Sequence, residues 1–210
     1  IGRLAASGEL WFNSGMTLMR VGLSFALAMV TGMALGLAMG RSRRADEWLN
    51  PALIIGLNVP ALVVIVLCYI WIGLNETAAI AAVALNKIPL VTVMIREGAR
   101  ALRPDLDDMA EAFQMPAMTR LRHVVLPQLA PHIAAAARAG VSLIWKIVLV
   151  VEFLGRSNGV GFKIHLLFSS FDVEGVLAWS LAFVGVMLAI DLLILRPWER
   201  HANRWRRDAA

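Results

Sequence analysis

Five runs of apolar residues, 17–40, 51–74, 77–95, 129–154 and 175–195, constrain this chain more than any other feature. At 1.5 Å of rise per residue, ~20 residues in a helix cover the ~30 Å hydrocarbon core of a bilayer. A helix also closes its backbone hydrogen bonds within the run, as lipid demands. The expected fold is therefore all-α: a polytopic membrane bundle with five visible transmembrane helices, the whole of 1–210 forming one transmembrane domain. Composition agrees, because 59% of the residues are hydrophobic and only 17% are charged, against roughly 25% charged in soluble domains.

The arginines set the expected topology. Arg41, Arg43 and Arg44 follow the first run; Arg96, Arg100, Arg103, Arg120 and Arg122 lie between the third and fourth; Arg196, Arg200, Arg204, Arg206 and Arg207 follow the fifth. The intervening connections carry only Arg3, Arg156 and Lys163. Basic residues accumulate on the cytoplasmic side, so these three clusters and the C-terminus are expected there. The net charge of +5 is explained by topology; no basic and aromatic interleaving points to nucleic acid. Ile1 is not an initiator methionine and 1–13 lacks the features of a signal peptide. An upstream span is expected, for six in the full protein.

The single cysteine, Cys68, lies inside a run and excludes a disulfide framework. His132 and His165 have no companion at ligand spacing, so no metal site is expected.

The segment 96–128 is longer than the 2 to 8 residues that join helices in compact bundles. Pro104-Asp105 reads as a helix start with Asp105 as N-cap and Asp107 and Asp108 in the first turn. Leu106, Met109, Ala110 and Phe113 follow at helical spacing and form an apolar face opposite Asp107, Asp108, Glu111 and Gln114. Pro116 then predicts a turn at Gln114 and Met115 and a second short helix. Such a pair either docks into a groove on a soluble partner or lies on lipid headgroups. Periodicity does not choose between these readings.

The residues carry a resemblance. Asp108-Met109-Ala110, then Gln114, then Val124-Val125-Leu126-Pro127 resemble the EAA loop of ABC importer permeases, with its E-A-A, glycine and terminal L-P. Asp108 stands where the family has glutamate. Gln114 stands where it has the glycine of a left-handed turn, a conformation in which a side chain carries a steric penalty. Asn58-Val59-Pro60, Trp71-Ile72-Gly73, Glu152-Phe153-Leu154-Gly155 and Ser157-Asn158-Gly159-Val160-Gly161 look like the nitrate, sulfonate and taurine branch of those permeases.

The resemblance implies a type I importer permease in the bacterial inner membrane that forms a homodimer. Each protomer would bind one ATPase subunit at a coupling helix pair and receive solute from a binding protein outside. The chain has no G-x-x-x-x-G-K-[ST] phosphate loop, so ATP and Mg are expected on the partner ATPase and no cofactor in this chain. In the coupling element, Leu106, Met109, Ala110, Phe113 and Met115 are expected to fill the ATPase groove. Asp108 and Arg120 or Arg122 are expected at its rim, with Gln114, Pro116 and Pro127 shaping the turn and the exit.

Within the runs, polar residues are few, and ionisable groups at membrane depth usually face protein or water. Arg138, Ser142, Trp145, Leu149 and Glu152 follow a helical stripe with Lys146 beside it. The stripe could line an aqueous path suited to an anionic solute; equally, Lys146 could pair with a carboxylate and Arg138 snorkel to the interface. Asn58, Asn86 and Lys87 are further path candidates, for which kinks at Pro60 and Pro89 are an equal explanation. An intramembrane enzyme is disfavoured because the chain has neither H-E-x-x-H nor a serine elbow with a base. A secondary transporter or channel would use intramembrane charge but would not need the EAA-like segment.

Overall fold

The computed structural model describes residues 8–195; the basic cluster from Arg196 onward lies outside the described residues. Every regular element among them is helical. In chain order these are α1 (Glu9–Arg41), α2 (Arg43–Asn58), α3 (Ala61–Ile72), α4 (Glu76–Arg100), α5 (Pro104–Ala112), α6 (Ala117–Arg120), α7 (Leu126–Gly155), α8 (Val160–Ser169) and α9 (Val173–Ile190). Wide π-helical turns, Leu121–Val125 and Asp191–Leu195, join α6 to α7 and follow α9.

Four helices are long and apolar enough to cross a membrane, or five if one bent pair counts as a single span. That pair falls on the expected second span, 51–74. It is α2 and α3, bent by 100°. Pro60 supplies no backbone N–H and pushes Val59 out of helical geometry, and Val59 is extended at φ −69°, ψ 125°. At ~24 Å and ~18 Å, neither half alone covers the hydrocarbon core.

The main seam is between α1 and α4, which run parallel. Ser24, Ala28, Gly32, Gly36 and Gly40 recur every four residues and lie on one face of α1. The Ser24 hydroxyl donates to the Ile80 carbonyl at 3.3 Å. A methyl group on Gly32 would stand 2.7 Å from the Val91 side chain, and one on Gly36 2.6 Å from the Thr92 carbonyl oxygen. Small residues thus let the two backbones touch, which is how helices gain packing energy where lipid removes the hydrophobic drive. On the same principle Gly98 of α4 seats the His132 ring of α7, and α7 runs antiparallel to both partners. The Tyr69 hydroxyl of α3 donates to the Val151 carbonyl of α7 at 2.8 Å.

A buried polar network closes the bundle at the end opposite Arg41 and Arg96. Arg20 of α1 is 1% exposed and Glu152 of α7 is 0% exposed. All five guanidinium N–H groups of Arg20 are used. Two go to Glu76 of α4 at 2.8 and 2.7 Å, one to Glu152 at 2.7 Å, one to the Asn158 carbonyl at 3.0 Å and one to the Asn158 side chain. Glu152 also accepts from the Gly161 N–H at 2.9 Å and the Thr17 hydroxyl at 2.9 Å. Gly159, at φ +106°, has no room for a side chain because the Glu152 carboxylate occupies that space.

Candidate functional site: the helix pair and the polar face of α7

Between α4 and α7 the chain forms a bracket. Arg103 is the N-cap of α5 and Pro104 its first residue, which corrects the expected N-cap, Asp105. Proline at the first helical position needs no partner for a missing N–H, so the start moves two positions back. Asp105 and Asp107 instead occupy the first turn, where their charge favours the helix dipole. The Arg103 guanidinium bonds to Asp105 and holds that carboxyl below the usual carboxylate range.

The helix ends as the family glycine would have ended it, with Gln114 in the left-handed region at φ +51°. The Gln114 N–H bonds to the Glu111 carbonyl at 2.9 Å and the Met115 N–H to the Ala110 carbonyl at 2.9 Å. These are the paired bonds of a Schellman cap. Pro116 precedes α6 as its N-cap and does not itself make the turn. A glutamine there carries roughly 1–2 kcal/mol of steric cost, which glycine would relieve at some cost in chain entropy. Gln114→Gly is therefore expected to stabilise the purified protein by about 0.5–1 kcal/mol. Thermal unfolding in detergent checks this; a lower melting temperature would contradict it.

The expected second short helix is not separate. From Ala117 to Gly155 the helix is continuous over 39 residues, which corrects the connecting segment drawn to residue 128. Pro127 cannot donate within the helix and its ring crowds the carbonyl four residues back. The π-helical turn absorbs this, with the Leu126 N–H bonding to the Leu121 carbonyl.

The bracket is held from both sides. Asp107 bonds to Arg41 at the end of α1 at 3.1 Å and to Arg120 of α6 at 2.9 Å. Gln128 of α7 accepts from the Arg103 N–H at 3.1 Å. Neither Asp107 nor Arg41 was expected in this role, because the partner lies 66 positions away.

The expected apolar face splits in two. Ala110 is buried and Leu106 and Met115 are half-buried, so these residues pack on the chain itself. Ala110, at 1% exposure, cannot fill a partner's groove, which corrects its assignment. Met109, Phe113 and Met118 point outward at 38%, 72% and 72% exposure. Asp108, Gln114, Pro116, Arg122 and Pro127 are exposed, and Arg120 is half-buried against Asp107.

The polar stripe of α7 also divides. Glu152 belongs to the buried network and does not line a path. Trp145 is buried, edge-on to Phe183 of α9 with ring centroids 5.8 Å apart. Arg138, Ser142 and Lys146 are exposed on one face of α7. Ser142, Trp145 and Lys146 meet Val184, Met187, Leu188 and Asp191 around a cleft of about 400 Å³ between α7 and α9. Asn58 is exposed at the α2–α3 bend and bonds to its own Ile54 carbonyl at 2.8 Å. Asn86 is half-buried and Lys87 is 5% exposed. Neither joins the α7 cleft. No group of three potential metal ligands occurs among the described residues.

Comparison with known proteins places this geometry. The model of the family described as "Binding-protein-dependent transport system inner membrane component" matches residues 28–203. The aliphatic sulfonates transport permease protein SsuC of Escherichia coli (strain K12) is 31% identical over 200 residues, which are 94% of this chain and 76% of that protein. Its Bacillus subtilis (strain 168) counterpart is 29% identical over 203 residues, 97% of this chain and 73% of that one. In fold, the chain is similar to one from a crystallised amino acid ABC transporter with histidines. The TM-score is 0.75 at 20% identity, covering 95% of this chain and 97% of the other.

Proposed function

Because the chain belongs to the family of binding-protein-dependent transport system inner membrane components, and is thus a multi-pass inner-membrane permease subunit of an ABC importer, we propose that it imports a small organic anion of sulfonate type by coupling at the 104–127 bracket. It is a transport component; ATP hydrolysis belongs to a separate subunit, and solute reaches it from a binding protein. Two of the permeases it is similar to are named for aliphatic sulfonates and one for taurine, itself a sulfonate, while others are named for bicarbonate. All of these solutes carry an anionic group, and the sulfonate names support the solute class.

The observation that carries the coupling role is the exposed tip formed by Met109, Phe113 and Met118 on a bracket clamped through Asp107. Large apolar side chains exposed beside arginines at one end of a membrane bundle suit a hydrophobic groove with a polar rim. The clamp matters because a docked surface transmits motion only if it is fixed to the spans. Asp107 ties the tip to α1 through Arg41, and the unbroken α6–α7 helix ties it to the polar face of α7. Closure of two ATPase subunits on ATP and Mg would then shift α7, and with it the α7–α9 cleft, between outward and inward access.

In this reading a second copy of the chain faces the exposed Ser142 and Lys146 side of α7, lipid covers the outer face of α9, and the arginine-rich end and the C-terminus lie in the cytoplasm. Phe113→Asp is expected to abolish co-purification of the ATPase in detergent while the permease itself still folds. The basis is that burying an aspartate against an apolar groove costs several kcal/mol. Undiminished co-purification would overturn the assignment of Phe113.

A further inference from the structure

Two lysines lie near mid-span, Lys87 buried and Lys146 exposed, and neither has a partner among the described residues. Lys87 of α4 and Lys146 of α7 make no hydrogen bond or ion pair with any described residue. Counted outward from the contact of Gly98 with His132, Lys87 lies ~16 Å and Lys146 ~21 Å along their helices. Both therefore fall near the middle of the spans, well inside the ends at Arg100 and Gly155. Other charged groups on the spans are partnered: Arg20 with Glu76 and Glu152 at the end opposite Arg41 and Arg96, and Arg138 and Asp191 as well.

The two lysines differ in access. Lys87 is enclosed, whereas Lys146 is exposed and lines the α7–α9 cleft beside the exposed hydroxyl of Ser142, with Trp145 as an apolar wall. A lysine at this depth faces protein or a water-filled space rather than lipid tails, and the cleft beside it supplies that space. Asp191 on the opposite wall is itself partnered, which leaves Lys146 as the unpaired charge among the described residues of the cleft. The cleft, at about 400 Å³, is within the size of small-molecule sites.

We propose that this cleft is a subsite for an oxyanion-headed solute. The Lys146 ammonium takes the anionic head, Ser142 donates a hydrogen bond to the same head, and Trp145 packs on the apolar stem. This rests on the importer reading but is testable without turnover.

The single native cysteine, Cys68, is buried, so a cysteine placed at Ser142 reports on the cleft. The complete complex of permease, ATPase and binding protein carries Cys68→Ala and Ser142→Cys in nanodiscs. It is labelled with a methanethiosulfonate bearing an ethylsulfonate group or with one bearing a trimethylammonium group. The sulfonate reagent is expected to react about ten-fold faster, relative to the two rates on free thiol. Ethanesulfonate in the medium is expected to slow it. Adding Lys146→Gln is expected to bring the ratio close to that of free thiol, and Lys146→Arg to preserve it.

Equal rates for the two reagents, a ratio indifferent to Lys146→Gln, or no labelling of Ser142→Cys at all would each overturn the subsite. ATP-driven uptake of ethanesulfonate by the unsubstituted complex reports separately on the importer reading. Uptake with charge-blind labelling defeats the subsite alone; labelling as expected without uptake defeats the importer reading alone.

Discussion

Arg20→Met is expected to destabilise the isolated permease by about 3–5 kcal/mol, the typical cost of stripping the partner from a buried charge. Glu152 would keep only the Gly161 N–H and the Thr17 hydroxyl at a site with no exposure. Glu76 is less affected because Arg156 also reaches it. The second variant in the cycle is Glu152→Gln, which removes the stranded charge. Combined with Arg20→Met it is expected to recover at least about 1 kcal/mol of the loss, as coupled neighbours do. Denaturant-induced unfolding in detergent micelles measures all three. Additive losses would show that the two side chains do not act as a pair. Replacement of the network by well-packed apolar residues need not be destabilising; the large effect belongs to breaking it in half.

Gly36→Leu is expected to have a comparable effect by a different route. A methyl at this position already stands 2.6 Å from the Thr92 carbonyl oxygen and 2.8 Å from the Ile95 side chain. Backbone cannot yield as a flexible side chain does, so the α1–α4 seam must open. Overpacking of this kind costs typically 1–3 kcal/mol and occasionally more, and for leucine against backbone about 3 kcal/mol is expected. Gly22 on the same helix has nothing within 4 Å of an added methyl, so Gly22→Leu is the control and is expected to be near neutral. The comparison reads the seam itself, since both variants change helix propensity alike. Equal losses at both positions would mean that leucine acts through something other than contact with α4.

These two devices were not equally legible in the sequence. The four-residue recurrence of Ser24, Ala28, Gly32, Gly36 and Gly40 stands in plain view, and small residues at that interval mark close helix contact in membranes. The Arg20 network could not be read, because its members lie 56 and 132 positions from Arg20. Glu152 shows why this matters. Its place on the helical stripe pointed toward a path, but the face of a helix shared by several residues is broad enough to be half core and half surface. Only packing decides which half, and Trp145 and Glu152 fell in the core while Arg138, Ser142 and Lys146 did not.

The bracket was more legible. Its existence followed from length and charge, and its turn at Gln114 and Met115 from Pro116. The N-cap slipped by two residues because proline and aspartate both mark helix starts and proline took the first helical position. The expected apolar face is not presented as one face. Its division between Ala110, turned in, and Phe113, turned out, required the position of the π-helical turn of Leu121–Val125. Pro60 was noted as a possible kink, but a bend of 100° exceeds what one proline in an otherwise continuous helix produces, and it converts an expected span into two half-length helices.

The account rests on the chain acting as the coupled pore of an importer, and one measurement addresses that directly. Proteoliposomes containing this permease, its ATPase and its binding protein are assayed for ATP hydrolysis and for solute accumulation, with ethanesulfonate as solute. Hydrolysis is expected to rise several-fold only when the binding protein is loaded, with ethanesulfonate accumulating inside, and both responses are expected to disappear with Phe113→Asp. Accumulation that proceeds without the ATPase, driven by an ion gradient and unchanged by Phe113→Asp, would contradict it.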